Sequence, residues 1–108
     1  MKKLFISCPV RGRKDEDIKK YFEKMHEIAE AAVGEKLEVV NRFIEENPPE
    51  VLNPPIWYLG ESIKKMANAD YFIGVKSCFK ESEESTEYTV ANMYDIASIL
   101  VAPHVIDF

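Results

Sequence analysis

A basic turn follows the first apolar run of the chain. Arg11, Arg13 and Lys14 lie within four positions, and Gly12 separates the two arginines. The protein as a whole carries a formal net charge of −5, so this basic cluster is a local exception. Arginine presents forked N–H donors that match phosphate and carboxylate groups. The turn therefore predicts a binding site for a small anion.

Carboxylates and hydroxyls form a second cluster far along the chain. The segment 76–84 is a charged loop, and Ser85, Thr86 and Glu87 follow it at the predicted start of a helix. Backbone N–H groups at a helix start can bind an anion. Both clusters follow predicted strands, and in open parallel sheets ligands bind beyond the carboxyl ends of the strands. We expect the segment 7–13 and this second cluster to meet in one crevice.

The cysteines and histidines do not form a metal-binding pattern. Cys8 and Cys78 lie far apart, and neither His26 nor His104 has a Cys or Asp at ligand spacing. No metal and no cofactor are expected, and we interpret both cysteines as reduced thiols of a cytoplasmic protein. Cys8 is also similar in position to the nucleophile of thiol phosphatases. Their phosphate loop needs an arginine six positions after the cysteine, where this chain has Lys14, so a thiol phosphatase-like enzyme is a remote alternative.

Composition limits the classes of function. The 108 residues are 46% hydrophobic and 31% charged, as in an ordinary globular protein, and their number predicts a single domain over 1–108. The acidic balance argues against binding to a nucleic-acid polymer, which requires a basic face. Arg11 ends the first apolar run after seven residues and no small-residue cleavage site follows, so neither a secretory signal nor a membrane span is expected.

Apolar runs alternate with helical patterns along the chain. The runs predict strands at 4–8, 37–40, 71–75 and 99–102, with 105–107 as a short fifth strand. The run 71–75 is apolar on every residue, which is typical of a strand covered on both faces. The alternation predicts an α/β fold: a small doubly wound, Rossmann- or flavodoxin-like parallel sheet of four to five strands flanked by helices.

Three helices are predicted between these strands. The first begins at Asp15 as N-cap and ends at Gly34. The second follows the polar, proline-containing loop 41–55. The apolar faces predicted to contact the sheet consist of Ile18, Tyr21, Phe22, Met25, Ile28, Ala29 and Ala32 in the first helix, Ile56, Leu59, Ile63, Met66 and Ala67 in the second, and Thr86, Val90, Met93 and Ala97 in the third.

Three short motifs, taken in order, resemble those of a known superfamily. An N-terminal strand ends in the Arg11-Gly12 turn, Asn68-Ala69-Asp70 precedes an apolar strand, and Ser85-Thr86-Glu87 opens the next helix. This pattern resembles the nucleoside 2-deoxyribosyltransferase superfamily over residues 4–101. Within it, the chain is most similar to the 2′-deoxynucleoside 5′-phosphate N-hydrolases and to small phage-type relatives.

The resemblance implies roles for individual residues. Glu87 falls where the superfamily has its catalytic glutamate, which attacks the anomeric carbon and forms a glycosyl-enzyme intermediate. Val10-Arg11-Gly12 falls on the Ile-Arg-Gly that surrounds the sugar and 5′-phosphate in the hydrolases. Phe5 and Pro9 stand where the hydrolases have a tyrosine and a serine. The substrate-binding residues predicted beside the catalytic Glu87 are Phe5, Ser7, Cys8, Pro9, Arg11, Gly12, Arg13, Ser62, Asp70, Ser85 and Thr86.

One departure from the superfamily pattern leaves two functions open. The superfamily's aspartate, eight residues before the strand-opening Asp70, falls at Ser62. Glu61 is adjacent, but neighbouring helical positions point about 100° apart. The chain either cleaves or transfers the N-glycosidic bond of a deoxynucleoside or its monophosphate, or it is a non-catalytic nucleotide-binding or sensing module of the same fold. The implied partners are a small nucleoside or nucleotide and a second copy in a homodimer.

Overall fold

Strands and helices alternate throughout the described part of the chain. The computed structural model describes residues 1–8, 13–41, 49–76 and 83–102, without the side chains of 83–85. The predicted strand 105–107 lies outside these residues, as do Cys78 and His104. The elements are β1 (Lys2–Ile6), α1 (Asp15–Val33), β2 (Leu37–Val39), α2 (Pro54–Met66), β3 (Tyr71–Val75), α3 (Glu83–Met93) and β4 (Ala97–Val101).

The four strands form one parallel sheet in the order β2-β1-β3-β4. Leu4 is paired with Val39 on one side and with Tyr71 on the other. The chain therefore moves from β1 to β2 in one direction and then crosses back to β3. The carboxyl ends of β1 and β3 lie at the switch point of the sheet, where ligands bind in folds of this class. The predicted α/β fold is confirmed as a Rossmann-like parallel sheet, with three helices among the described residues.

Helices cover both faces of the sheet. Side chains alternate along β1, so that Leu4 and Ile6 join the core beneath α1, while Phe5 joins a second core beneath α2 and α3. The rings of Phe5 and Phe72 stack in this second core with centroids 5.8 Å apart. Burial on both faces explains the continuous apolar sequence of β3. The same alternation directs the side chain of the residue after Ile6 toward α3.

The start of β1 and the cap of α1 differ from prediction. β1 covers Lys2–Ile6 and so begins two residues earlier than predicted. The backbones of Lys2 and Lys3 pair in the sheet although their side chains are charged. Lys14, with extended backbone, is the N-cap of α1 and makes no side-chain cap hydrogen bond. Asp15 is therefore the first helical residue and contributes charge to the first turn instead. Gly34 ends the helix as predicted, with φ 82° and its N–H donating to the carbonyl of Glu30.

The helix α2 begins two residues before its first predicted apolar position. Asn53 is the N-cap, and its side chain accepts a hydrogen bond from the N–H of Ile56 at 3.3 Å. Pro54 and Pro55 occupy the first turn, where a missing N–H costs nothing. The prolines therefore belong to the helix and not to the preceding loop. Three residues that were predicted to face the sheet from α1 and α2 are exposed, namely Ala32, Ile56 and Ala67.

The predicted apolar face of the third helix is confirmed at Val90, which packs against the second core, and is wrong at its other positions. Thr86 and Met93 are exposed, and the buried positions of α3 are Glu87 and Ala91, one turn apart. Ala97 is not helical but opens β4, which spans 97–101 and not 99–102. A carboxylate at a sheet-facing position breaks the apolar period from which the face was predicted.

Candidate functional site

A buried hydroxyl and a buried carboxylate meet at the carboxyl end of β1. Ser7 follows β1, and its Oγ donates a hydrogen bond to Oε1 of Glu87 on α3 at 2.8 Å. Ser7 is 1% exposed and Glu87 is 7% exposed. We call these two residues the Ser–Glu pair. The structure thus brings together two predicted site residues that are 80 positions apart in the chain.

The backbone of Ser7 is fixed on both sides. Its N–H donates to the carbonyl of Ile73 at 2.9 Å, which extends the pairing of β1 with β3 by one residue. Its carbonyl accepts a hydrogen bond from the hydroxyl of Tyr21 on α1 at 3.0 Å. Tyr21 is itself buried in the core beneath α1. The backbone that carries the serine hydroxyl is therefore held by both the sheet and the helix.

Asn41 supports the same strand end from the other side. Its Oδ1 accepts from the N–H of Ile6 at 2.8 Å, and its Nδ2 donates to the carbonyl of Ile6 at 2.7 Å. Because β2 ends at Val39 and Val40 makes the last backbone bond to Leu4, the amide of Asn41 replaces the next pairing residue of a longer β2. Asn41 is 8% exposed.

Sequence reasoning did not include Asn41 or Tyr21 in the site. The sequence places Asn41 in a polar loop and predicts Tyr21 only as part of the apolar face of the first helix. The available signal was the position of a single amide directly after a short strand, where it can pair with a neighbouring backbone. The identity of that neighbour, Ile6, depends on the order of the strands.

The other predicted site residues that the structure describes differ in their exposure to solvent. Phe5 is completely buried in the core, and Cys8 is half-buried against the core beneath α1. Arg13 is exposed just before α1, and Thr86 is exposed on α3 beside Glu87. The predicted site residues Pro9, Arg11 and Gly12, and the side chain of Ser85, lie outside the described residues.

Two further predicted site residues, Ser62 and Asp70, lie on other parts of the fold. Ser62 is half-buried on α2, and the carboxylate of the adjacent Glu61 accepts a hydrogen bond from Lys64 at 3.0 Å on the same helix. Asp70 precedes β3, and its Oδ2 and N–H bond the backbone of Lys3 at 2.8 Å each. Asp70 therefore lies at the amino ends of the strands, whereas the Ser–Glu pair lies at their carboxyl ends. Its hydrogen bonds connect β1 with β3.

The described residues contain neither a metal-binding cluster nor a helix that could span a membrane. No group of three or more His, Cys, Asp and Glu side chains there is arranged to hold a metal ion. None of the helices α1, α2 and α3 is both long and apolar enough to cross a bilayer.

The fold and the site together define a Rossmann-like parallel α/β protein with a buried carboxylate near the switch point of its sheet. Comparison of the chain with protein-family models, with curated proteins and with solved structures finds no match. The resemblance to the nucleoside 2-deoxyribosyltransferase superfamily therefore rests on the sequence motifs and remains a prediction.

Proposed function

We propose that this protein cleaves or transfers the N-glycosidic bond of a deoxynucleoside or of its 5′-monophosphate, with Glu87 as the nucleophile. The observation that carries the proposal is the Ser–Glu pair at the carboxyl end of β1. The motif resemblance independently assigns the catalytic glutamate to the same residue. At 7% exposure, Glu87 is largely shielded from bulk water.

The reaction has two steps. A carboxylate oxygen of Glu87 attacks C1′ of the sugar, the C1′–N bond breaks, and its electron pair leaves with the base, which takes up a proton from solvent. The transition state resembles an oxocarbenium ion, which a carboxylate stabilises electrostatically before the ester forms. Water then attacks C1′ and releases a proton to solvent, so that hydrolysis consumes one water and regenerates the carboxylate. A second base in place of water completes a transfer.

The basic turn 11–14 supplies the phosphate-binding part of the proposal. Arg13 is exposed at the base of α1, close in the chain to the carboxyl end of β1. The first turn of α1 carries Asp15, Glu16 and Asp17, and these charges oppose an anion at that helix terminus. A 5′-phosphate is therefore expected to bind through the arginines of the turn and not through the N-terminus of α1.

The test is release of free base by purified protein. Incubation with a panel of deoxynucleosides and their monophosphates, followed by chromatography, is expected to show free base. Glu87→Ala and the isosteric Glu87→Gln are expected to lower the rate by about 10⁴-fold or more. Glu27→Gln, which changes an exposed carboxylate on α1, serves as the matched control and keeps the wild-type rate. Base release from wild type that does not exceed release from Glu87→Ala refutes the enzymatic proposal.

A specific observation supports a second candidate, a binding or sensing module without turnover. Ser62 stands where the superfamily has an aspartate, and the neighbouring Glu61 carboxylate is paired with Lys64. A serine hydroxyl does not protonate a leaving base as a carboxylic acid does. Calorimetry with the same panel separates the two candidates, because a sensor binds a nucleotide stoichiometrically and releases no base from it.

A further inference from the structure

We propose that Ser7 is a positioning residue for Glu87, with its hydroxyl orienting the carboxylate and favouring the ionised form that acts as nucleophile. This inference rests on the proposed function. Ser7 was predicted as a substrate-binding residue, but it is only 1% exposed and its hydroxyl is hydrogen-bonded to Glu87. Its contact with the reaction is expected to pass through the carboxylate.

The direction of the hydrogen bond determines which form of the Glu87 carboxyl group it stabilises. A serine hydroxyl has one hydrogen to donate, and an ionised carboxylate can only accept. Donation from Oγ to Oε1 at 2.8 Å therefore stabilises the charged carboxylate relative to its protonated form. The same bond restricts rotation of the carboxylate group, since Oε1 has a fixed donor on the sheet.

The donor is itself preorganised by three elements. Ile73 of β3 accepts from the N–H of Ser7, and Tyr21 of α1 donates to its carbonyl. Asn41, which follows β2, forms hydrogen bonds with the N–H and the carbonyl of Ile6, the residue before Ser7. A hydroxyl on a backbone held in this way, and already bonded to Glu87, is preorganised before the reaction, which is the requirement for a positioning residue.

The kinetic test compares Ser7→Ala, Ser7→Thr and the control Ser98→Ala. The hydroxyl of Ser98 bonds a carbonyl of its own segment, that of Ile96, at 3.3 Å, so its loss tests for a nonspecific effect of removing a serine. Ser7→Ala is expected to lower kcat by about 10- to 100-fold, the effect of one hydrogen bond to a charged group. KM is expected to change by less than about twofold. Ser7→Thr restores part of kcat because it retains the hydroxyl, and Ser98→Ala matches wild type.

The second measurement does not require activity. Carbon-13 NMR of protein labelled at the glutamate carboxyls, with the Glu87 signal assigned by Glu87→Gln, follows the titration of this carboxylate directly. The midpoint is expected at higher pH in Ser7→Ala than in wild type, because the ionised form has lost a donor. Ser7→Thr is expected to return the midpoint toward wild type, and urea unfolding checks that each variant is folded.

The outcomes separate this inference from the proposed function. An active wild type whose kcat and Glu87 titration are unchanged in Ser7→Ala overturns the positioning role and leaves the nucleophile assignment in place. Loss of activity in Ser7→Thr as large as in Ser7→Ala, without a change in titration, also overturns it. An inactive wild type refutes the proposed function, and the NMR titration then decides by itself whether Ser7 controls the carboxylate.

Discussion

Glu87 occupies a position on α3 that an apolar residue would normally take. It is the fifth residue of the helix, beyond the first turn in which the helix dipole stabilises carboxylates. A buried carboxylate is costly unless it is hydrogen-bonded, and Ser7 supplies one such bond. For stability alone, an apolar side chain at this position would avoid the free-energy cost of burying a carboxylate. The presence of a carboxylate at this buried position therefore favours the proposed chemical role.

The amide of Asn41 is expected to contribute to stability through the backbone it pairs with. Asn41→Ala leaves both the N–H and the carbonyl of Ile6 without this partner, and a buried unpaired group costs roughly 1–3 kcal/mol. We expect the free energy of unfolding to fall by about 3 kcal/mol, measured by urea denaturation. The control is Asn92→Ala, an exposed change on α3 expected to lie within about 0.5 kcal/mol of wild type. Equal effects of the two substitutions would contradict the bracketing role of Asn41.

At the scale of elements, α1 covers the outer side of β2. β2 ends the strand order of the described sheet, and the backbone of Leu37 bonds to two side chains of α1. Its N–H donates to Oε2 of Glu30 at 2.9 Å, and its carbonyl accepts from Nε2 of His26 at 2.8 Å. His26 and Glu30 are also 3.2 Å apart as an i,i+4 pair. The helix thus satisfies backbone groups that an edge strand would otherwise offer to another chain.

This arrangement predicts a pH-dependent part of stability. The N–H of Leu37, assisted by the charges of His26 and Lys36 and opposed by desolvation, holds the pKa of the Glu30 carboxyl below its ordinary value of 4.5. A lowered pKa adds stability that is fully present above pH 4.5 and is lost as the pH falls through the folded-state pKa. We expect Glu30→Gln to be less stable than wild type at neutral pH, with a difference that shrinks on acidification.

The measurement is urea unfolding of wild type and Glu30→Gln at a series of pH values. Glu27→Gln is the control because Glu27 is an exposed carboxylate on the same helix, and this variant is expected to lie within about 0.5 kcal/mol of wild type at neutral pH. A Glu30→Gln difference that stays constant down to strongly acidic pH would show that the carboxylate charge does not stabilise the start of β2.

Two glycines are expected to respond to alanine with opposite signs. Gly34 ends α1 at φ 82°, and a Cβ added there would meet no atom within 4 Å. Gly34→Ala is therefore expected to destabilise by about 1 kcal/mol through backbone strain alone. Gly60 lies inside α2 and also has open space around an added Cβ, so Gly60→Ala is expected to stabilise by about 0.5–1 kcal/mol. Thermal unfolding measures both, and a shared sign would contradict the conformational explanation.

The homodimer is a prediction about the whole molecule. Several large apolar side chains are exposed, among them Leu52 and Ile56 near the start of α2 and Met93 and Tyr94 at the end of α3. A homodimer would cover part of such surface. We expect light scattering at micromolar concentration to give twice the mass of 12.4 kDa, and unfolding midpoints to rise with protein concentration. A mass equal to one chain at all concentrations tested would exclude the dimer.

Local patterns predicted the fold well wherever one physical requirement dominated. The bounds of β3, 71–75, are confirmed because every residue of a strand beneath helices on both faces is apolar. Gly34 ends α1 because only glycine adopts its backbone conformation without strain. The predicted face of α3 holds only at Val90 because Glu87 interrupts the apolar period. The predicted start of α2 was wrong because two prolines within a helix resemble a loop.

The sequence by itself determined the class of fold, through alternating strands and helices whose connections favour a parallel sheet. It also singled out Glu87 and Ser7 as site residues and predicted that their two segments meet in one crevice. Only the tertiary structure decided that these two side chains touch and that Asn41 supports them, since the partners are 80 and 35 positions apart. Such contacts depend on the strand order β2-β1-β3-β4, which is set by packing across the whole sheet and is not encoded in any short segment.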